Sequence, residues 1–222
     1  LFIANQTIHA QVINKSPNLI IILADDLGFA DVGFNGCLDI PTPSIDNIAE
    51  NGVIFTNGYV SYGVCGPSRA GLLTGRYQGR FGFSRNPLFA PNDPEMGLPL
   101  SEETLADALK KAGYKSLAIG KWHMGAHETL HPLKRGFDDF YGFLSGGHQY
   151  FPELLTLNDP YEAKAQFDGY KTKLLRNYER VEETEYLTDA LTREAVSYIG
   201  KNKDNPFFIY LAYNAPHTPL QA

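Results

Sequence analysis

Cysteine is nearly absent from this sequence. Cys37 and Cys65 are the only two among 222 residues, too few for a disulfide framework and enough for one bridge at most. Positive charge is also in short supply. Nineteen Lys and Arg against 25 Asp and Glu leave a formal net charge of -6, which argues against a general nucleic-acid-binding face. No apolar run is long enough to cross a bilayer, and there is no internal repeat or low-complexity stretch. What remains is an ordinary globular balance, 43% hydrophobic and 20% charged, in a chain long enough for one sizeable core or two small ones. An acidic protein of this kind can still hold an anion where a metal and a few cations converge.

The first residues, Leu1 to Gln11, resemble the end of a signal peptide, with Ile8-His9-Ala10 as a small-residue cleavage site. On that reading residues 1–16 are a signal remnant and the protein is periplasmic or secreted. The other reading is a disordered tail. Asn5-Gln6-Thr7 and Asn14-Lys15-Ser16 fit the glycosylation pattern, which is frequent by chance.

Residues 17–222 read as strand, helix, strand, helix, helix, strand, helix, strand. Asn18 to Ala24 (NLIIILA) is a continuous apolar run, as in a strand buried on both faces. Thr42-Pro43 opens a short helix to Ala49, and Val53 to Tyr59 reads as a second strand. Pro67 to Thr74 is a short helix stopped by Gly75. Ser101 to Ala112 is a helix with Ser as cap, acids in its first turn and lysines in its last. Tyr114 to Gly120 is a strand, Thr184 to Lys201 a long helix, and Pro206 to Ala212 (PFFIYLA) another buried strand. The alternation predicts an α/β domain with a mostly parallel sheet sandwiched by helices. Phe81 to Leu100 is expected to be a surface loop, and the aromatic, irregular stretch from Gly142 to Asn177 an insertion near the site.

The polar residues gain meaning on this scaffold. Asp25-Asp26 ends the first strand, Lys121 and His123 follow the Tyr114 strand, and His217 follows the last strand. Cys65 sits just before a helix N-terminus. Ligands of open α/β sheets bind at the carboxyl ends of strands, so four separate segments deliver nucleophilic, cationic and metal-type groups to one edge. Two adjacent carboxylates repel each other, and a hard divalent cation relieves that. The alternative is a helix cap beside a surface Asp, since strand-end acidic pairs are also common in turns. Cys65 near the positive end of a helix, with Arg69 one turn on, suits an anion or a reactive thiolate. Each residue also has a plain reading: a buried thiol at Cys65, a solvated lysine at Lys121, a core histidine at His123, a turn residue at His217.

Cys65-Gly66-Pro67-Ser68-Arg69 followed by Ala70-Gly71-Leu72-Leu73-Thr74-Gly75-Arg76 resembles the signature of type I sulfatases, of the alkaline phosphatase superfamily. Pro17 to Gly28, Gly120-Lys121-Trp122-His123-Met124-Gly125 and Ala215-Pro216-His217-Thr218-Pro219 resemble three further blocks in the same order. The resemblance implies that Cys65 is oxidised to formylglycine by a dedicated modification system. It implies that Asp25, Asp26 and residue 65 ligate calcium rather than magnesium, and that Arg69 holds the hydrated aldehyde. Lys121 and His217 would bind sulfate oxygens. His123 would take the proton of the second hydroxyl as sulfate leaves, and His217 or Lys121 would protonate the leaving oxygen. A hydrated aldehyde suits this chemistry because one hydroxyl attacks sulfur and the other expels the product. The aromatic segment around Tyr150, Phe151, Tyr161 and Tyr170 suggests a sulfated carbohydrate as substrate.

The chain also departs from that pattern. In such sulfatases an Asp-Asn pair and a lysine downstream of the Pro-His-x-Pro block complete the metal and sulfate sites. Neither Asp46-Asn47, in a helix, nor Asp204-Asn205, at the wrong end of a strand, can substitute. The chain therefore reads as the N-terminal portion of a catalytic domain, expected to be inactive and poorly stable alone. Two alternatives stay open: a phosphate or phosphonate ester hydrolase of the same superfamily, and a non-catalytic binding protein on this scaffold.

Overall fold

The computed structural model describes residues 16–221. Its centre is a six-stranded sheet in the order β1-β6-β2-β3-β4-β5. The first four are β1 (Leu19–Asp25), β6 (Phe207–Pro216), β2 (Lys115–Lys121) and β3 (Asp139–Phe143), and they run parallel. The short hairpin β4 (Leu174–Arg176) and β5 (Glu179–Val181) adds antiparallel to β3. The fold is thus α/β with a mostly parallel sheet.

Side chains alternate across the sheet, and β6 separates two cores. Phe208, Tyr210 and Ala212 face the helices α2 (Cys65–Thr74) and α3 (Leu105–Lys111), alongside Ala70, Leu73, Ala106 and Trp122. Phe207, Ile209 and Leu211 face α4 (Leu187–Asn202) through Leu187, Leu191 and Ala195. Each fully buried Leu or Phe stabilises the sandwich by about 1.5–3 kcal/mol. Among the described residues no helix is long and apolar enough to cross a membrane.

Four expectations change. β1 is not buried on both faces. Among the described strands it lies at an edge, with Leu19, Ile21 and Leu23 against the core while Ile20 and Ile22 are exposed. Val53 to Tyr59 makes no strand, because the segment joins no ladder and its Val53, Phe55 and Tyr59 are 79%, 80% and 85% exposed. The short helix α1 (Pro43–Asn51) precedes it as predicted. Helix α3 starts later than Ser101, because Thr104 caps it. The Thr104 hydroxyl accepts from Asp107 N–H while the Asp107 carboxylate accepts from Thr104 N–H, a capping box. Glu102 instead turns inward and pairs with Arg76. Strand β3 and the β4–β5 hairpin were not anticipated. They occupy both ends of the aromatic segment, which otherwise runs through short 3-10 turns. The proposed signal remnant falls almost wholly outside the described residues.

Candidate active site

The carboxyl edge of the parallel strands gathers the polar groups. β1 and β6 keep register from Leu19↔Phe208 to Leu23↔Ala212, then slip so that Asp25 stands opposite Pro216. That irregularity delivers Asp25, only 4% exposed, beneath helix α2. Its Oδ1 accepts from Arg69 Nη2 at 3.1 Å, and its Oδ2 accepts from the Lys121 ammonium. Arg69 Nη1 also donates to the Lys121 carbonyl at 2.7 Å and lies 3.4 Å from the Tyr210 hydroxyl. Three charged side chains from α2, β1 and β2 thus meet out of water. Burial opposes the charge on Arg69, but Tyr210 and Asp25 outweigh it and hold the guanidinium above its usual range. For Lys121, burial and the neighbouring Arg69 prevail over Asp25 and lower its pKa.

Cys65 belongs to the first turn of α2 rather than the loop before it. With Asp25, Asp26, Arg69, Tyr62 and Ser68 it lines an open cleft of about 220 Å³. The helix runs for ten residues and ends at Gly75, the glycine expected to stop it, which takes the left-handed φ of 62. The unpaired amides of its first turn and its dipole favour negative charge at position 65. Val64, at the N-cap, offers no side-chain acceptor. Asn86 does so from a distant loop: its Oδ1 accepts from Gly66 N–H at 2.8 Å, and its Nδ2 lies 3.6 Å from Cys65 Sγ.

His123 is buried just past the end of β2, with φ 53. Burial first, then Lys121, Arg69 and His217, push its pKa well below the usual histidine value, so the ring is neutral at pH 7. Among the described residues its Nδ1 has no hydrogen-bond partner, and a side chain on Gly146 would come within 2.6 Å of its Nε2. His217 Nδ1 is 2.6 Å from the Thr218 carbonyl, which makes it the donor, and Nε2 faces Asp26 Oδ2 at 3.7 Å. Asp26 itself is exposed.

The expected site residues therefore fall into linked groups: Asp25 with Arg69 and Lys121, Asp26 with His217, Cys65 beside Asp25 and Asp26 in the cleft, and His123 behind. As a cation site the donor chemistry is suitable, since two carboxylates share the cleft with residue 65. It supplies only part of a calcium shell. Among the described residues no three His, Cys, Asp or Glu side chains cluster as a metal site, and both Asp25 oxygens are engaged by cations. Sequence reasoning missed Tyr210 and Asn86. It also missed Tyr150 in this role: its single hydroxyl proton is shared between the carbonyls of His217 at 2.7 Å and Asn214 at 2.9 Å, which fixes the turn at the end of β6. Tyr210 could have been found by counting alternation along PFFIYLA. Asn86, in a loop rich in Pro and Asn, carried no such signal.

A family model described as Sulfatase matches residues 17–222. N-acetylgalactosamine-6-sulfatase of Homo sapiens is 36% identical over 216 residues, which cover 94% of this chain and 41% of that protein. The structure of Ps i-CgsB in complex with k-i-k-neocarrahexaose superposes with a TM-score of 0.83 at 49% identity, over 93% of this chain and 46% of the other. That of BT4656 in complex with its substrate D-glucosamine-2-N,6-O-disulfate gives 0.68 at 28% identity, over 91% and 35%. The chain thus spans less than half the length of each of these three relatives.

Proposed function

This chain belongs to the sulfatase family, and we propose that its protein hydrolyses sulfuric esters of a carbohydrate, with residue 65 as nucleophile after oxidation of Cys65 to formylglycine by a modification system. The observation that carries the reading is the cleft in which the first turn of α2 sets Cys65 beside Asp25 and Asp26, with Arg69 rooted beneath it on Asp25. A cysteine kept for packing alone needs neither two carboxylates nor a buried guanidinium around it.

The roles of the chain's own groups follow from their surroundings. Arg69 lines the cleft and Lys121 lies buried behind Asp25, and their two charges would compensate that of a sulfate group as it is transferred. His123, neutral and shielded from water, can accept a proton near residue 65. His217 keeps its Nδ1 proton on Thr218, which leaves Nε2 turned toward Asp26 on the cleft wall, where, once protonated, it would serve a leaving oxygen. Asp25 and Asp26 would hold calcium, which neutralises sulfate oxygens when bound. Formylglycine would supply two hydroxyls on one carbon in its hydrated form.

A sulfated sugar as substrate is supported by the two relatives crystallised with k-i-k-neocarrahexaose and with D-glucosamine-2-N,6-O-disulfate. A periplasmic or secreted location rests on residues 1–11 of the sequence. The test uses full-length protein from a source able to install the modification. Hydrazide labelling should trap an aldehyde at position 65, and rates on sulfate and phosphate esters of one alcohol should favour sulfate. A preference for phosphate would replace the reading with a phosphoester hydrolase. An unlabelled thiol with no hydrolysis of either ester would leave a binding protein.

A further inference from the structure

Helix α2 begins without a cap of its own. Val64 has no side-chain acceptor, so the first-turn amides need a partner from elsewhere. Asn86, 20 residues further on, provides it through the 2.8 Å bond from Gly66 N–H to its Oδ1. The same carboxamide turns its Nδ2 toward Cys65 Sγ at 3.6 Å, a sulfur-acceptor distance. One planar group therefore holds the backbone of residue 66 and the side chain of residue 65 together.

The contact is built rather than casual. A Cβ on Gly66 would lie 2.9 Å from Pro87 Cδ, 3.0 Å from Asn86 Oδ1 and 3.1 Å from the His123 carbonyl. Only glycine lets the loop approach α2 this closely. Behind Asn86, Phe89 N–H donates to Gln166 Oε1 at 3.0 Å, and the Phe89 ring lies against Gly169, where a Cβ would come within 2.8 Å. Asn86 is exposed, yet its loop is fastened at Gly66 and again, three residues on, at Gln166 and Gly169.

We propose that Asn86 is a positioning residue for residue 65: its oxygen caps α2 at Gly66 and its amide nitrogen orients the side chain at position 65 toward Asp25 and Asp26. The proposal rests on the reading of residue 65 as nucleophile, but its first test does not depend on turnover.

Full-length protein made in a source lacking the modification keeps a thiol at position 65. Its alkylation by iodoacetamide is measured at one fixed pH against Cys37 as internal reference. Asn86→Leu, close in shape to asparagine, removes the donor and should lower the Cys65-to-Cys37 ratio about fivefold. A ratio within twofold of wild type overturns the proposal. Should Asn86→Leu lower the melting temperature, Asn86→Asp keeps the oxygen for Gly66 and replaces the donor with a second, charged acceptor. It should melt like wild type with a reduced ratio, and a wild-type ratio again overturns the proposal. In modified enzyme, Asn86→Leu should reduce kcat about tenfold with KM unchanged. Equal kcat would refute the positioning role, whereas a wild-type enzyme without sulfate-ester hydrolysis would refute only the reading of function.

Discussion

Arg69 and Asp25 meet 3.1 Å apart, 44 positions distant in sequence and each at least 96% buried. This pair joins α2 to the end of β1, and Lys121 closes it from β2. Removing the carboxylate charge leaves two buried cations facing each other. Asp25→Asn should therefore cost about 3–5 kcal/mol of stability. Urea unfolding in the presence of a chelator, which sets any metal contribution aside, checks this. A loss under about 1 kcal/mol would mean that the pair is not desolvated.

Gly120 has φ 88, and a Cβ there would lie 2.1 Å from the Ala212 carbonyl of the neighbouring strand. Gly120→Ala forces both backbone strain and overpacking between β2 and β6. The expected cost is about 2–4 kcal/mol. Gly113, also at positive φ but with open space around it, should lose only the strain component when changed to Ala, about 1–2 kcal/mol. Equal costs for the two, measured by thermal unfolding, would contradict the account.

His131 and His148 are both driven down to about 4 by burial. The unfolded chain takes up these protons near pH 6.5, while the folded protein resists until about 4. Stability is therefore full above 6.5 and falls as the pH drops from 6.5 to 4, by up to roughly 3 kcal/mol per histidine. Denaturant midpoints at pH 7.5, 5.5 and 4.5 should decline in that order. A flat series would show that neither ring is neutral in the fold.

The neutral, shielded His123 is assigned proton transfer in the proposed reaction. His123→Gln should lower kcat on a sulfate ester by about 10²–10⁴-fold, with little change in KM. A rise in KM with kcat unchanged would instead make the residue a substrate contact.

Much of this architecture was readable because it depends on local patterns. NLIIILA and PFFIYLA are apolar runs bounded by turn residues, and both became strands. Gly75 stopped α2 as a glycine able to take positive φ should. The unreadable parts depend on partners. Val53 to Tyr59 has strand composition but no ladder to join. The β4–β5 hairpin has three residues per strand, too short for periodicity. Its one clue was Asn177, which sits at φ 57 in the two-residue turn. The site divides the same way. Strand-end positions pointed to Asp25, Lys121, His123 and His217. Who binds whom did not show, because Arg69 and Asp25, or Asn86 and Gly66, approach only through the tertiary fold.

The place of β1 carries a consequence for how this chain comes into being. Among the described strands its sole hydrogen-bonding neighbour is β6, so Leu19 waits for Phe208. A ribosome adding about 5–20 residues per second needs roughly 10–40 s between the two. Throughout that interval the first strand is made but has no ladder, and Asp25 has no fixed address. The carboxylate that anchors Arg69 is translated before Arg69, Lys121 and the strand that fixes it, and takes its place only after all three.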